Sequence, residues 1–152
     1  MEEVFVLLRP GFKVSEFQGF KGREFARLKV IMARSYRELL VWQKAKALAV
    51  HTYTATANLP RAEIYGLTSQ IRRAVVSVPS NIAEGQGRLT AGEFRHFLGQ
   101  ARGSLLEAET QLAIALDLGF LKQCAYEQLE LESYQVLGLL DRLLSSLSKK
   151  TA

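Results

Sequence analysis

The chain has almost none of the residues from which small proteins build covalent or metal cross-links. Its 152 residues include a single cysteine, Cys124, so an internal disulfide framework and a cysteine-built zinc cage are both excluded. A lone thiol fits a reducing compartment, and the cytoplasm is the expected location. Proline occurs three times, at Pro10, Pro60 and Pro79, and alternating β-branched segments are scarce, which favours helices over strands. No uncharged apolar run reaches the roughly 18 to 20 residues that span a bilayer, so no membrane partner is expected. The run from Val4 to Leu8 is too short for a secretory signal, and Glu2 and Glu3 stand where such a signal needs positive charge.

What is present has a globular balance, with 48% hydrophobic and 23% charged residues, enough for one domain with a core. The formal charge of +5 is unevenly spread. Residues 1–104 hold sixteen basic and eight acidic side chains, whereas residues 105–152 hold four and seven. Such polarity suits a nucleic acid on one face, and equally a head-to-tail contact between identical subunits.

Residues 1–34 are expected to be a poorly ordered N-terminal extension, because Pro10, Gly11, Gly19 and Gly22 break any period. An alternative for the same stretch is a basic-aromatic arm, since Phe12, Phe17, Phe20 and Phe25 interleave with Lys13, Lys21, Arg23 and Arg27. Residues 35–152 read as the folded domain. Apolar spacing predicts helices over about 39–58 and 64–84, the first ended by Leu59-Pro60. Gly85-Gln86-Gly87 reads as a break. A third helix opens on the Thr90–Glu93 capping box and runs to about 118, stopping at Gly119. A fourth covers about 125–147. Pro79 falls inside the second, which either kinks there or ends and restarts with Ser77 as a cap. The short connections favour antiparallel neighbours, hence an all-α, up-down-up-down four-helix bundle.

No constellation for catalysis is evident. Glu93 and His96 form an E-x-x-H unit, but a di-iron bundle needs a second one, and His51 has Leu48 three positions earlier. Gly85 to Thr90 misses a dinucleotide fingerprint by its third glycine and follows a helix instead of a strand. Glu107 and Glu109 point about 200° apart, so no inward carboxylate pair is expected from them. No metal, cofactor or small-molecule substrate is therefore expected, and the chain does not read as an enzyme.

The arginines say more. Arg88, Arg95 and Arg102 recur every seven residues. Along one straight helix such a repeat would drift only about 20° per heptad. Arg95, Arg102, Arg72 and Arg73 all lack an acidic residue three or four positions away. Candidate partners are water, the acidic last helix of the same or a neighbouring subunit with Glu127, Glu130 and Glu132, or phosphate. Gly99 and Gly103 sit one turn apart in the third helix, each costing ~1 kcal/mol relative to alanine. Close approach of another helix, from the bundle or from a second subunit, would offset that cost.

Three ordered blocks extend the reading. Tyr36 to Ala45 (YRELLVWQKA), Tyr65 to Ala74 (YGLTSQIRRA) and Ser77 to Gly85 (SVPSNIAEG), followed by Glu93-Phe94, Gly103-Ser104-Leu105 and Glu109 to Leu112, closely resemble the bacterial 23S rRNA intervening-sequence protein family. The resemblance covers about residues 35–147. It implies a four-helix protomer in a ring-shaped homopentamer, a basic surface directed at nucleic acid, and no catalytic activity. A similar branch, the accessory proteins of diversity-generating retroelements, pairs this bundle with a reverse transcriptase and its RNA. Two functions are expected on that basis. One is binding of RNA or DNA through Arg72, Arg73, Arg88, Arg95, Arg102, Lys44 and Lys46. The other is an adaptor for a protein partner such as a reverse transcriptase, with the arginines, Gly99, Gly103, Glu127 and Glu130 at helix or subunit contacts.

Overall fold

A computed structural model describes residues 35–147, so the expectations for residues 1–34 lie outside the described residues. Among the described residues there are four α-helices and no strand: α1 (Leu40–Ala55), α2 (Leu67–Gln86), α3 (Ala91–Asp117) and α4 (Gln123–Leu147). Short 3-10 turns at Tyr36–Glu38 and Arg61–Glu63 precede α1 and α2. Each helix packs on the next in the chain and α4 returns to α1. The apolar stripes thereby close around one core, in which Ala45, Leu48, Ile71, Val78, Ile82, Leu98, Leu105 and Leu140 are buried to within 1% of full enclosure. Each large side chain so buried contributes about 1.5–3 kcal/mol. None of the helices among the described residues is long and apolar enough to cross a membrane.

Local chemistry sets the helix ends. Glu93 N–H donates to Thr90 Oγ1 at 3.1 Å. The Thr90 hydroxyl in turn donates to Glu93 Oε2 at 2.7 Å, so the predicted capping box starts α3. At its other end Gly119 adopts φ +71°. The Phe120 N–H reaches Ala115 O at 2.9 Å and the Gly119 N–H reaches Leu116 O at 2.8 Å. These are the two bonds of a Schellman stop. By contrast, α1 ends sooner and α2 starts later than their apolar spacing suggests. The Glu63 carboxylate accepts from Leu67 N–H at 3.0 Å and fixes the start of α2 there. At the end of α1, the Thr56 hydroxyl donates back to Thr52 O at 2.8 Å while the chain turns toward buried Leu59.

Around α2 the structure decides one open reading and overturns another. The helix continues through Pro79, so no restart capped by Ser77 forms. Side-chain donors serve the carbonyls of this stretch. Ser80 Oγ donates to Val76 O at 2.8 Å, and Asn81 Nδ2 donates to Ser77 O at 2.9 Å. Gly85 is not a break, because α2 runs on to Gln86. Gly85 is buried where α3 crosses, and a Cβ there would stand 2.6 Å from Phe97 Cβ and 2.9 Å from Phe94 Cδ2.

Gly85→Ala should therefore destabilise the protein by about 1–3 kcal/mol through overpacking, although alanine is the better helix former by up to ~1 kcal/mol. Thermal or urea melts of the two proteins read the sign directly. A more stable variant would show that α3 yields at this contact.

Candidate functional site

Charge is divided by helix. Lys44 and Lys46 lie on α1, which has no acidic residue, and Arg72 and Arg73 on α2 face a single acid in that helix, Glu84. On α4, by contrast, Glu127, Glu130, Glu132 and Asp141 oppose Arg142 alone.

The arginines singled out in the sequence have different fates. Arg72 donates from Nε to Thr56 Oγ1 at 3.0 Å and from Nη2 to Thr56 O at 3.3 Å, with its guanidinium 4.7 Å from the Tyr53 ring centroid. It thereby closes the C-terminus of α1, where a cation complements the helix dipole. Arg88 lies in the connection between α2 and α3, so the heptad stripe of three arginines does not form on one helix. It pairs with Glu84 and lies 4.8 Å over the Phe97 ring. Arg102 pairs through Nε with Asp141 Oδ1 at 2.9 Å, joining α3 to α4. The acidic partner is Asp141 rather than Glu127, Glu130 or Glu132. Arg73 and Arg95 are exposed and make no ion pair among the described residues. Arg95 borders an open groove between α3 and α4, together with His96, Gly99 and Gln100.

The remaining predicted residues separate in the same way. Lys44 lines a groove between α1 and α4 beside His51 and Glu132, whose ring nitrogen and carboxylate lie 2.8 Å apart. Lys46 stands on another flank of α1 with its ammonium 5.4 Å from the Trp42 ring centroid. A Cβ added at Gly99 or Gly103 would meet nothing within 4 Å, so no described helix of the protomer approaches them closely. Glu127 accepts from Gln123 Nε2 at 2.9 Å and Glu130 from the Tyr126 hydroxyl at 3.0 Å, both within α4.

Two arrangements escape the sequence. The first is a row of cation–ring contacts along α1 and the turn before it. Arg37 lies 5.7 Å from the Tyr36 centroid, and Tyr36 meets Trp42 edge-on at 5.0 Å. The contacts of Lys46 on Trp42 and Arg72 on Tyr53 continue the row. At about 100° per residue, Trp42, Lys46 and Tyr53 fall within about 40° of one another on the helix. That spacing, four and then seven residues, is the signal the sequence offers.

The second is a carboxylate pair across α3 and α4, where no inward pair is expected from the sequence. Glu109 and Glu130 border one small cavity with Tyr126 and Ser133. Burial pushes the Glu109 carboxyl above its ordinary value, and the Glu130 charge adds to that. One Glu109 oxygen, Oε1, is buried without a hydrogen-bond partner. The Tyr126 phenol is raised as well, first by its hydrogen bond to Glu130.

A protein-family model described as 23S rRNA-intervening sequence protein matches residues 37–142. No curated protein matches the chain.

The carboxylate pair makes stability depend on pH. The folded protein holds the Glu109 proton more tightly than the unfolded chain does. The stability this contributes is present in full below the ordinary carboxyl value of 4.5 and is lost as pH rises through the higher folded value. Glu109→Gln, which cannot ionise, should melt with the wild type at acid pH and increasingly above it toward neutrality. Parallel melting curves for the two proteins at every pH would contradict this.

Proposed function

The chain belongs to the 23S rRNA-intervening sequence protein family, and from that premise we propose that it is a non-enzymatic, oligomeric bundle that binds RNA or DNA through phosphate contacts. The charge division carries this reading. With no carboxylate on α1 and one on α2, the exposed Lys44, Lys46 and Arg73 have few neutralising neighbours on their own helices. Arg95 adds an exposed guanidinium on α3. Arg72, Arg88 and Arg102 contribute potential but not a free grip, because each already serves a contact within the protomer. In this reading the helices run up-down-up-down, five protomers close a ring in the cytoplasm, and repetition multiplies a modest charge into a strong local field.

A second reading, an adaptor or assembly module, is favoured by α3. Gly99, Gly103, Leu106, Thr110 and Ile114 follow one another at three- and four-residue steps. Leu106 and Ile114 remain 37% and 45% exposed, and the glycines have open space above them. A helix from a second copy fits that stripe, and a protein partner such as a reverse transcriptase would then meet the assembled particle.

The charge reading is tested by fluorescence anisotropy with labelled RNA and DNA over a range of salt. Log affinity should fall linearly with log salt, by about 0.7–0.9 per phosphate contact. Lys46→Glu combined with Arg73→Glu should weaken binding and flatten that slope. No binding to either polymer, or a slope unmoved by the double variant, overturns the reading.

Assembly is tested separately. Leu106→Asp with Ile114→Asp should convert the oligomer to folded monomers, seen by light scattering with unchanged helical circular dichroism. An intact oligomer would place the subunit contact elsewhere.

A further inference from the structure

Resting on the nucleic-acid reading above, we infer that α1 is a stacking platform for unpaired bases, so that the ligand is a single-stranded stretch of RNA or DNA rather than a duplex. Binding of unpaired strands needs π faces alternating with cations that follow the backbone. The side of α1 toward α2 supplies both. Trp42 and Tyr53 are eleven residues apart, about 16 Å along the helix at about 1.5 Å per residue. That is several nucleotides at the ~3.4 Å per nucleotide of a stacked strand. The Lys46 ammonium stands over the ring of Trp42, which is half-buried against the core, and the Arg72 guanidinium over the ring of Tyr53, with Arg37 over Tyr36 at the near end, so a base would stack where each ring is left uncovered by its cation.

The exposure of the same face argues against a duplex. Tyr53 is 44% exposed; Val50, one turn earlier on α1, and Val76, one turn beyond Arg72 on α2, are 57% and 41% exposed. A duplex hides its base faces and would use the cations alone, leaving these apolar groups in water. Unpaired bases cover them. The absence of any acidic residue on α1 selects a polyanion over an apolar segment of neutral or basic character.

Trp42 is the only tryptophan of the chain, so its emission reports this face alone. The full chain is titrated with oligo(dT), oligo(U) and a blunt DNA duplex of equal length at one salt concentration. The single strands should quench Trp42 and bind at least tenfold more tightly than the duplex. Tyr53→Ala should lower single-strand affinity by about tenfold, in line with the loss of one stacked base, and leave duplex affinity unchanged. Tyr53→Phe, which keeps the ring, should bind like the wild type.

Each contrary result has a distinct meaning. Equal binding of duplex and strand without quenching overturns the stacking platform while the charge reading stands. A Tyr53→Ala variant that loses duplex and strand alike shows that the ring only supports Arg72, and overturns it too. Quenching by poly-glutamate as strong as by oligo(dT) reassigns the face to an acidic protein segment. Absence of binding to every nucleic acid defeats both readings together.

Discussion

The approach of α3 to α2 over Gly85 is the constraint from which the rest of the bundle's geometry follows. With hydrogen as its side chain, Gly85 lets Phe94 and Phe97 settle directly on the α2 backbone, at distances where any Cβ would collide. The crossing lies at the closed end of a hairpin whose connection is only Gly87 to Thr90. Thr90 then caps α3 at once. A wider crossing would separate the two buried faces along their length, so one missing side chain sets the contact that the core residues of both helices exploit. The same crossing positions Phe97 beneath Arg88, which explains why a residue in the connection is held against the bundle rather than left in water.

Fixed crossings also decide which charges are free. Arg72 reaches Thr56 because α1 ends where α2 begins, and Arg102 reaches Asp141 because α3 and α4 lie side by side. Neither contact follows from spacing along one helix, where ion pairs form at three or four residues. Surface pairs of this kind contribute little stability, about 0–1 kcal/mol. Their larger effect is to hold each guanidinium in a set place. Counting arginines without a local acid along the sequence therefore overstates the groups available to a ligand: of Arg72, Arg73, Arg95 and Arg102, only Arg73 and Arg95 stay unengaged among the described residues.

The residues make legible whatever is encoded locally. Four apolar stripes, the Thr90 box and the Gly119 stop depend on neighbours within one or two turns, and they set the number and order of the helices. Gly85 misleads because a glycine marks either a turn or a close approach, and only the position of Phe94 and Phe97 in space distinguishes the two. Pro79 is undecidable from sequence for a related reason: core contacts of Val75, Val78 and Ile82 on either side outweigh the missing backbone bond. The Glu109–Glu130 pair spans two helices, so its repulsion is invisible to any single-helix projection. Basic and aromatic residues are densest over residues 12–27, which draws the eye to that stretch. The row on α1 is sparser along the chain, and folding brings it into line.

The two lysines of α1 show how the charge division turns into direction. Lys44 and Lys46 are separated by about 200° around the helix, so one borders α4 and the other does not. Lys44 shares its groove with Glu132. A phosphate arriving there would meet a carboxylate lining the same groove. Lys46 has Trp42 beside it and no acidic residue on its own helix. On the proposed nucleic-acid reading, the edge of α1 shared with α2 is therefore a more favourable approach for a polyanion than the α1–α4 edge. On that same reading the acidic last helix would act without touching the ligand, because it leaves one side of α1 as the favourable approach.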